Sequence, residues 1–447
     1  MKSVYIFTLG CQMNVYDSEQ ILRLLHPLGY SYVDDPEKAD LVILNTCSIR
    51  QKAFDKGFSF LGRVKKRKKL GDHVLIGVGG CVAQQEGEKI IKRAPYVDFV
   101  FGTSSIHRLP QIVKRAEQGE KVSDISEKEE IIETGSNPNL PDELTPSGFV
   151  SIMRGCNNFC TYCIVPFVRG REKSRNPDEI ISEIKRRALK GMKEITLLGQ
   201  NVNSYGKSGG MPDFPDLLYL VSEIEEIERI RFATSHPKDL SSKLVDCFKN
   251  IEKLCRHFHI PVQAGSDKIL SAMNRKYSVK DYLEKIAALR KACPGIELST
   301  DIIVGFPGET EAEFNQTLNL LKEVSYDNVF AFAYSDRPGT KASSFEDKIE
   351  LKIKKERLNK LLDIQKEITK KKNMDFQDKI VSVLVERQSC QENKLSLSGR
   401  TFGNRIVHLQ EDLGSLDEIK LFKGKIVDVK IKKTLGHSLK GELLETF

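Results

Sequence analysis

Over the first 117 residues, short apolar runs alternate with stretches of helical periodicity. VYIFTL, LVILNT, VLIGVG and DFVFGT are rich in β-branched or aromatic residues, as buried strands are. Between the first two, SEQILRLLHPLG places apolar residues three and four apart. The alternation predicts a parallel α/β unit over 1–117. Residues 118–148 lose the pattern and end in SNPNLPDELTPSG, which reads as a linker.

The alternation restarts at 149 and continues to about 350. FVSIMRG, EITLLGQ, IRFATSH, FHIPVQ, ELSTDIIVGF and NVFAFAYS predict six strands, and a helical stretch follows each of the first five. In PDEIISEIKRRALK, Pro177 falls in the first turn. In TEAEFNQTLNLLKEV, Thr310 and Glu313 form a capping-box pattern. Six repeats predict a partly closed parallel barrel, too short for the usual eight. Residues 351–373 predict one amphipathic helix, with Leu358, Leu361, Leu362 and Ile368 at helical spacing. From 374 to 440, DKIVSVLVERQ, LSLSGRTF, RIVHLQ, GKIVDVKIKKT and LKGELLE predict a small antiparallel β-barrel. The fold class is α/β: a parallel α/β domain, a partial (β/α)6 barrel and a terminal β-barrel.

Composition narrows the classes. A length of 447 residues agrees with roughly three domains. Forty per cent apolar and thirty per cent charged residues give ample core and exclude a disordered chain. No run approaches the roughly 18 apolar residues of a spanning helix. The start, MKSVYIFTLGCQMN, breaks its apolar stretch too early for a signal peptide. A cytosolic protein with no membrane partner is expected, and in that compartment thiols stay reduced. The ten cysteines therefore point to metal ligation. The net charge of +8 is uneven: residues 352–372 hold nine Lys or Arg against three Asp or Glu, and RVKKRKK, Arg63–Lys69, holds six positives in seven. Each run is either a solvated helix face or a contact with phosphates. The terminal module, with twelve positives against eleven negatives over 374–447, is not strongly basic.

The densest chemistry is RGCNNFCTYC, which places Cys156, Cys160 and Cys163 on one loop after the first barrel strand. Three soft thiolates in eight residues suit three irons of a 4Fe–4S cluster and leave the fourth iron open. The location agrees, because parallel barrels carry chemistry on loops after their strands. The alternative is a zinc site with a distant fourth ligand such as Cys255 or His257. A second set is dispersed. Cys11, Cys47 and Cys81 each directly follow an apolar run, about one β/α unit apart. If those strands are parallel, the three thiols converge on one sheet edge, where open α/β sheets bind ligands. The alternative is three unrelated buried cysteines. Cys247, Cys255, Cys293 and Cys390 follow no ligand spacing and read as packing residues. His236, His257 and His259 read as polar barrel residues.

These motifs together are recognisable. The triplet in a barrel-like domain resembles the radical S-adenosylmethionine (SAM) superfamily. TLGCQMN, NTC and GGC, with the small terminal barrel, resemble its methylthiotransferases, whose last domain is an RNA-binding TRAM module. The likeness covers nearly the whole chain in the family's domain order. GCNNFCTYCIVPFVRGREKSR, LLGQNVNSYG, HIPVQAGSD and STDIIVGFPGET look most like the branch that methylthiolates isopentenylated adenosine at position 37 of tRNA, beside the anticodon. Sibling branches act on threonylcarbamoyl-adenosine of tRNA or on a ribosomal-protein aspartate; a non-catalytic iron–sulfur RNA sensor is the reading outside this class.

The resemblance implies that Cys156, Cys160 and Cys163 hold the radical-SAM 4Fe–4S cluster and that Cys11, Cys47 and Cys81 hold an auxiliary one. It implies two SAM per turnover, one donating methyl and one giving a 5′-deoxyadenosyl radical. Gln200, Gln263, Asp301 and the backbone near Gly305 are the family-like SAM contacts. Arg169 and Arg171 suit either the SAM carboxylate or an RNA phosphate. A tRNA anticodon loop is the implied substrate, since a base must leave its stack to reach a buried radical. An electron-donor protein is implied too, and a monomer is expected.

Overall fold

The protein is described by a computed structural model covering residues 2–48, 51–126, 145–207, 210–391, 394–412 and 422–444. The chain forms two compact units. One comprises Met1–Pro141, Met153–Asn157 and Cys163–Arg175; the other comprises Asp142–Ile152, Asn158–Tyr162 and Asn176–Phe447.

The first unit is built on a six-stranded sheet of β1 (Lys2–Thr8), β2 (Tyr30–Tyr32), β3 (Leu41–Thr46), β4 (Leu75–Gly80), β5 (Phe99–Phe101) and β6 (Val122–Asp124). The order is β2-β1-β3-β4-β5-β6, and every pairing is parallel. β3 is buried throughout, as a strand covered on both faces must be. One face packs Val42, Leu44, Ile76, Val78 and Val100 against Phe60, Leu61 and Val64 of the helix Gln51–Lys69. The other packs Val4, Ile6, Ile43, Phe99 and Phe101 against the helices Gln12–Leu25 and Leu109–Glu117.

Two strands escape the apolar pattern. β2 and β6 have three residues each and lie at the sheet edges, where half-exposed polar residues are tolerated. β6 falls within the stretch read as a linker. It is held there by pairing with β5 and by Arg108, whose Nε and Nη2 donate to Asp124 at 2.6 Å. The basic run Arg63–Lys69 is largely committed to its own unit. Arg67 Nη1 donates to the carbonyls of Pro36 and Ala39 at 2.6 and 2.9 Å, and Lys68 pairs with Asp98. Arg63 and Lys65 lie over the rings of Phe60 and Tyr96. Arg63, Lys66 and Lys69 remain exposed, so the run is part internally paired and part solvated.

The run FVSIMRG, expected as one strand, is divided. β7 (Ser147–Ser151) joins the barrel sheet, and β8 (Met153–Arg154) pairs antiparallel with β9 (Lys173–Ser174). The remaining barrel strands are β10 (Glu194–Leu198), β11 (Arg229–Phe232), β12 (His257–His259), β13 (Glu297–Val304) and β14 (Asn328–Ala333). β11-β10-β7 and β12-β13-β14 form two parallel sheets. They are joined through a bridge from Ile230 to Leu254, with Cys255 N donating to Ile230 O at 2.9 Å. Six parallel strands are thus present, as the repeat count predicts. The capping box at Thr310 forms, with Thr310 N donating to Glu313 Oε2 at 2.8 Å and opening the helix Glu311–Val324.

The basic helix spans Leu351–Met374, but its buried stripe differs from the expected leucine face. Leu362 is 42% exposed. The buried residues are Arg357, Leu361, Gln365, Thr369 and Asn373, every fourth position. Four of these are polar, and each has a partner: Arg357 with Glu309, Gln365 with the Tyr326 carbonyl, Thr369 with the Asp327 carbonyl, Asn373 with the Leu435 carbonyl. Hydrogen bonds at one-turn spacing, not apolar burial alone, fix this helix.

The terminal module is a closed barrel of β15 (Ile380–Gln391), β16 (Lys394–Thr401), β17 (Ile406–Asp412), β18 (Ile426–Thr434) and β19 (Ser438–Leu443), in the order β15-β16-β17-β19-β18. One pairing, β17 with β19, is parallel, and the last strand runs past residue 440. It docks under the N-terminal ends of the barrel strands. Arg229 and Arg231, on β11, donate to the carbonyls of Arg400 and Thr401 at 2.7 and 2.8 Å. Arg405 pairs with Glu297, the first residue of β13, and with Asp327, just before β14, at 3.0 and 2.5 Å.

Candidate active site

The order β2-β1-β3 means that the chain leaves β1 on one side and returns on the other. The crevice of an open parallel sheet lies at such a switch point, beyond the C-terminal ends of the strands. Cys11 follows β1, Cys47 follows β3, and Cys81 follows β4. The three thiols meet there. Cys47 lies in hydrogen-bond contact with both Cys11 and Cys81. Two glycines make the approach feasible. A Cβ on Gly80, where φ is +90°, would stand 2.3 Å from the Thr46 carbonyl oxygen; on Gly10 it would stand 2.7 Å from Cys47 Cβ. Cys47 and Cys81 are buried, and Cys11 is exposed.

Hydrogen bonding sorts the protons among the three. The Cys47 thiol donates, so its own ionisation is pushed far up. By accepting, Cys11 is lowered to about 6 and Cys81 to about 7. The helix Gln12–Leu25 completes the wall. Asn14 Oδ1 accepts from the Cys11 amide at 3.3 Å, and Asn14 Nδ2 donates to Asn45 Oδ1 at 3.3 Å. Three soft donors at one sheet edge, two leaning toward thiolate, match what an iron–sulfur cluster requires. Among the described residues no set of three or more His, Cys, Asp and Glu stands ready-made in metal-ligating geometry, so the fit lies in donor chemistry and convergence.

Arg169, expected at the SAM carboxylate or an RNA phosphate, is placed at this wall. It is 5% exposed, and its Nη2 meets Asp17 Oδ2 at 2.7 Å. Burial alone would disfavour its charge; Asp17, Cys81 and Cys11 more than reverse that. Arg171 is exposed.

The triplet occupies the loop between β8 and the short helix Val165–Val168. Cys156 and Cys163 are part-buried, and Cys160 is buried. Gly155 has φ +75°, and a Cβ there would stand 2.0 Å from the Arg171 carbonyl oxygen, so the bend into the triplet requires glycine. Cys160 Sγ accepts from Arg275 Nη1 at 3.4 Å. Arg275, 4% exposed, also donates to the Pro261 carbonyl at 2.8 Å and to Tyr277 Oη at 3.0 Å. A buried cation thus stands fixed against one sulfur of the triplet.

The expected SAM contacts lie at strand ends of the second unit. Gln200 follows β10. Gln263 follows β12, with φ +72° and a backbone that bridges to β13: its amide donates to the Asp301 carbonyl at 2.8 Å. Thr234, past β11, also has a left-handed φ of +71°. Non-glycine residues in this region store strain and gather at functional sites. Asp301 is part-exposed and faces His259 Nε2 at 3.5 Å, while Ser299 Oγ bridges His259 and His257. The structure thus couples Gln263 to Asp301 through the backbone and leaves Gln200 on another strand.

His236 accepts from the Lys238 amide, closing a turn. Cys247, Cys255 and Cys293 are buried, as packing residues should be; the side chain of Cys390 lies outside the described ones. Sequence reasoning missed Arg275 and Asp17. Asn14, Asp17 and Ser18 share one face of the first helix at three- and four-residue spacing after Cys11, a signal that could have found Asp17. Nothing in the spacing of Arg275 points to Cys160.

The chain is similar to known proteins along nearly its whole length. The radical SAM superfamily matches residues 150–321, an uncharacterized protein family, UPF0004, matches 3–102, and the TRAM domain matches 377–444. A protein named tRNA-2-methylthio-N(6)-dimethylallyladenosine synthase from Desulfosudis oleivorans is 48% identical over 99% of this chain and 96% of its own. One of the same name from Geotalea uraniireducens is 50% identical over 99% of each. Both carry the name of the isopentenyl branch, not of its siblings. A solved radical SAM methyltransferase, TsrM from Kitasatospora setae, is similar with a TM-score of 0.57 and 12% identity over 74% of this chain and 73% of that one; that likeness is one of fold.

Proposed function

Because this chain belongs to the family of tRNA-2-methylthio-N(6)-dimethylallyladenosine synthases, we propose that it converts N(6)-isopentenyl-adenosine at position 37 of tRNA to the 2-methylthio derivative, using two SAM per turnover. When bound, a 4Fe–4S cluster at Cys156, Cys160 and Cys163 supplies with SAM the radical that takes hydrogen from the adenine, and a second at Cys11, Cys47 and Cys81 supplies the site of sulfur and methyl transfer.

The chain's own residues bind and orient. Arg275 holds the Cys160 sulfur in place by its hydrogen bond. Cys47 gives up its shared proton when all three N-terminal sulfurs become ligands. Asp301, oriented by His259, and Gln263, fixed by its left-handed backbone, grip the polar groups of SAM, with Gln200 reaching in from β10. The target base is unstacked from a single-stranded anticodon loop before it enters. Exposed lysines of the helix Leu351–Met374, among them Lys355, Lys366 and Lys370, and the terminal barrel meet RNA phosphates. The protein works in the cytoplasm as a monomer with a reducing partner.

The observation that carries this reading is the meeting of three strand-end thiols at the switch point of one sheet in a chain that also holds the C-x3-C-x2-C loop. The test is anaerobic reaction of the reconstituted protein with SAM, reductant and isopentenylated tRNA. Cys156→Ala is expected to lose both 5′-deoxyadenosine and methylthio product. Cys81→Ala is expected to cleave SAM yet give no methylthio product. Methylthio product from Cys81→Ala would overturn the role given to the N-terminal cysteines.

A further inference from the structure

The segment after the triplet is tied down at three points. The Val168 carbonyl accepts from Thr103 Oγ1 at 2.6 Å, the Gly170 carbonyl accepts from the Cys156 amide at 3.2 Å, and Arg169 meets Asp17 at 2.7 Å. Ile164 and Val168 pack on Cys81. These contacts carry the guanidinium of Arg169 to the sheet edge where Cys11, Cys47 and Cys81 converge. Both charges of the Arg169–Asp17 pair are buried, at 5% and 7% exposure.

A buried ion pair is a poor way to stabilise a fold, because an apolar pair of similar size serves packing as well. Its presence is explained if the cation faces a second anion. Three cysteine thiolates bring three negative charges into this wall, and buried charge needs an opposite charge or hydrogen bonds nearby. The placement agrees. Asp17, which holds Arg169, lies on the helix that begins directly after Cys11, and Val168, the residue before Arg169, packs on Cys81. We propose that Arg169, held in place by Asp17, is the counter-charge of the auxiliary cluster and not a contact to SAM or RNA. This rests on the assignment of Cys11, Cys47 and Cys81 to that cluster.

As a positioning residue, Arg169 acts on the cluster's potential. Reduction adds negative charge, so a nearby cation raises the midpoint and its loss lowers it. The test uses the full chain reconstituted in a Cys156→Ala/Cys160→Ala/Cys163→Ala background, where iron can reside only at the N-terminal cysteines. Midpoints are read by redox titration with electron paramagnetic resonance, beside iron and sulfide content. Arg169→Gln is expected to lower the midpoint, Asp17→Asn to raise it, and Arg169→Lys to stay nearer the parent than Arg169→Gln. Should Arg169→Gln fail to hold iron, Asp17→Asn carries the sign of the test, with a raised midpoint expected. Asp17→Asn that leaves the midpoint unmoved or lowers it would overturn the proposal, as would an Arg169→Gln that holds iron at an unmoved or raised midpoint. A background protein that takes up no iron would overturn the cluster assignment itself, and the proposal with it.

Discussion

Arg405 ties the terminal barrel to the underside of the radical SAM domain, and removing its charge while keeping its bulk tests that role. Its side chain is 9% exposed. It lies 3.0 Å from Glu297 Oε2 and 2.5 Å from Asp327 Oδ1, donates to Asn373 Oδ1, and covers the Phe376 ring at 4.6 Å. Arg405→Met keeps the stem over Phe376 but leaves the Glu297 carboxyl and the Asp327 carboxylate, 13% and 9% exposed, without this partner. Removing one partner of a buried pair costs about 3–5 kcal/mol. Two features favour the lower end: Lys372 still pairs with Asp327 at 2.9 Å, and Glu297, pushed up to about 8 chiefly by burial, can take a proton. A loss of about 3 kcal/mol corresponds to roughly a hundredfold easier opening of the interface. The chain has no tryptophan, so hydrogen exchange read by mass spectrometry is the suitable assay, with far-UV circular dichroism for global unfolding. Peptides covering Arg400–Arg405 and the last turns of the helix Leu351–Met374 are expected to exchange roughly a hundredfold faster. Adding Glu297→Leu is expected to recover most of the loss, because an apolar replacement removes the buried carboxyl left without a partner. Exchange within threefold of wild type, or no recovery in the double variant, would refute the reasoning.

Two further outcomes follow from buried charges. Arg275→Met removes a charge-assisted hydrogen bond to Cys160, of the kind that contributes about 1.5–3 kcal/mol; at least tenfold less 5′-deoxyadenosine, with iron lost from the triplet site in a variant lacking the N-terminal cysteines, is expected, and wild-type values for both would sink the role. Stability should also depend on pH in a defined direction. Glu297 ionises at about 8 in the fold against an ordinary 4.5, so the folded state retains a proton that the unfolded chain has lost, and stability falls as pH rises from about 4.5 to 8, by up to about 1.4 kcal/mol per pH unit. His236, lowered to about 2 mainly by burial, acts the other way: its contribution is present above about 6.5 and is lost as pH falls below it. Cys11 and Cys81, lowered to about 6 and about 7, add stability as pH rises through the same range, so the Glu297 contribution is read as a difference. The stability of wild type relative to Glu297→Gln, followed by thermal melts, should fall between about 6.5 and 8, and a difference that stays level or grows across that window would contradict the assignment.

Much of this site was legible because its ligands lie at the ends of apolar runs. β1, β3 and β4 are plain in the sequence, and parallel pairing then brings Cys11, Cys47 and Cys81 together without further information. Thr310 and Glu313 announced a helix start for the same reason: their interaction is local. What was not legible depends on partners distant in sequence. Arg169 reads as a free cation after the triplet until Asp17, 152 positions earlier, is found beside it. The lysines and arginines of Arg63–Lys69 look like one stripe until Asp98, Tyr96 and the carbonyls of Pro36 and Ala39 take up three of the six. The helix Leu351–Met374 carried its leucines in view, yet its buried stripe is polar, because Glu309, Asp327 and the loop at Leu435 offer hydrogen bonds at one-turn intervals. β2 and β6 are too short and too polar for any pattern to reveal.

The central claim concerns one modified nucleoside. Mass spectrometry of tRNA nucleosides from cells lacking this protein measures it directly. The account predicts that 2-methylthio-N(6)-isopentenyl-adenosine disappears, that N(6)-isopentenyl-adenosine accumulates in its place, and that the wild-type chain but not Cys156→Ala restores the methylthio form. Persistence of the methylthio nucleoside in the deleted cells would contradict it.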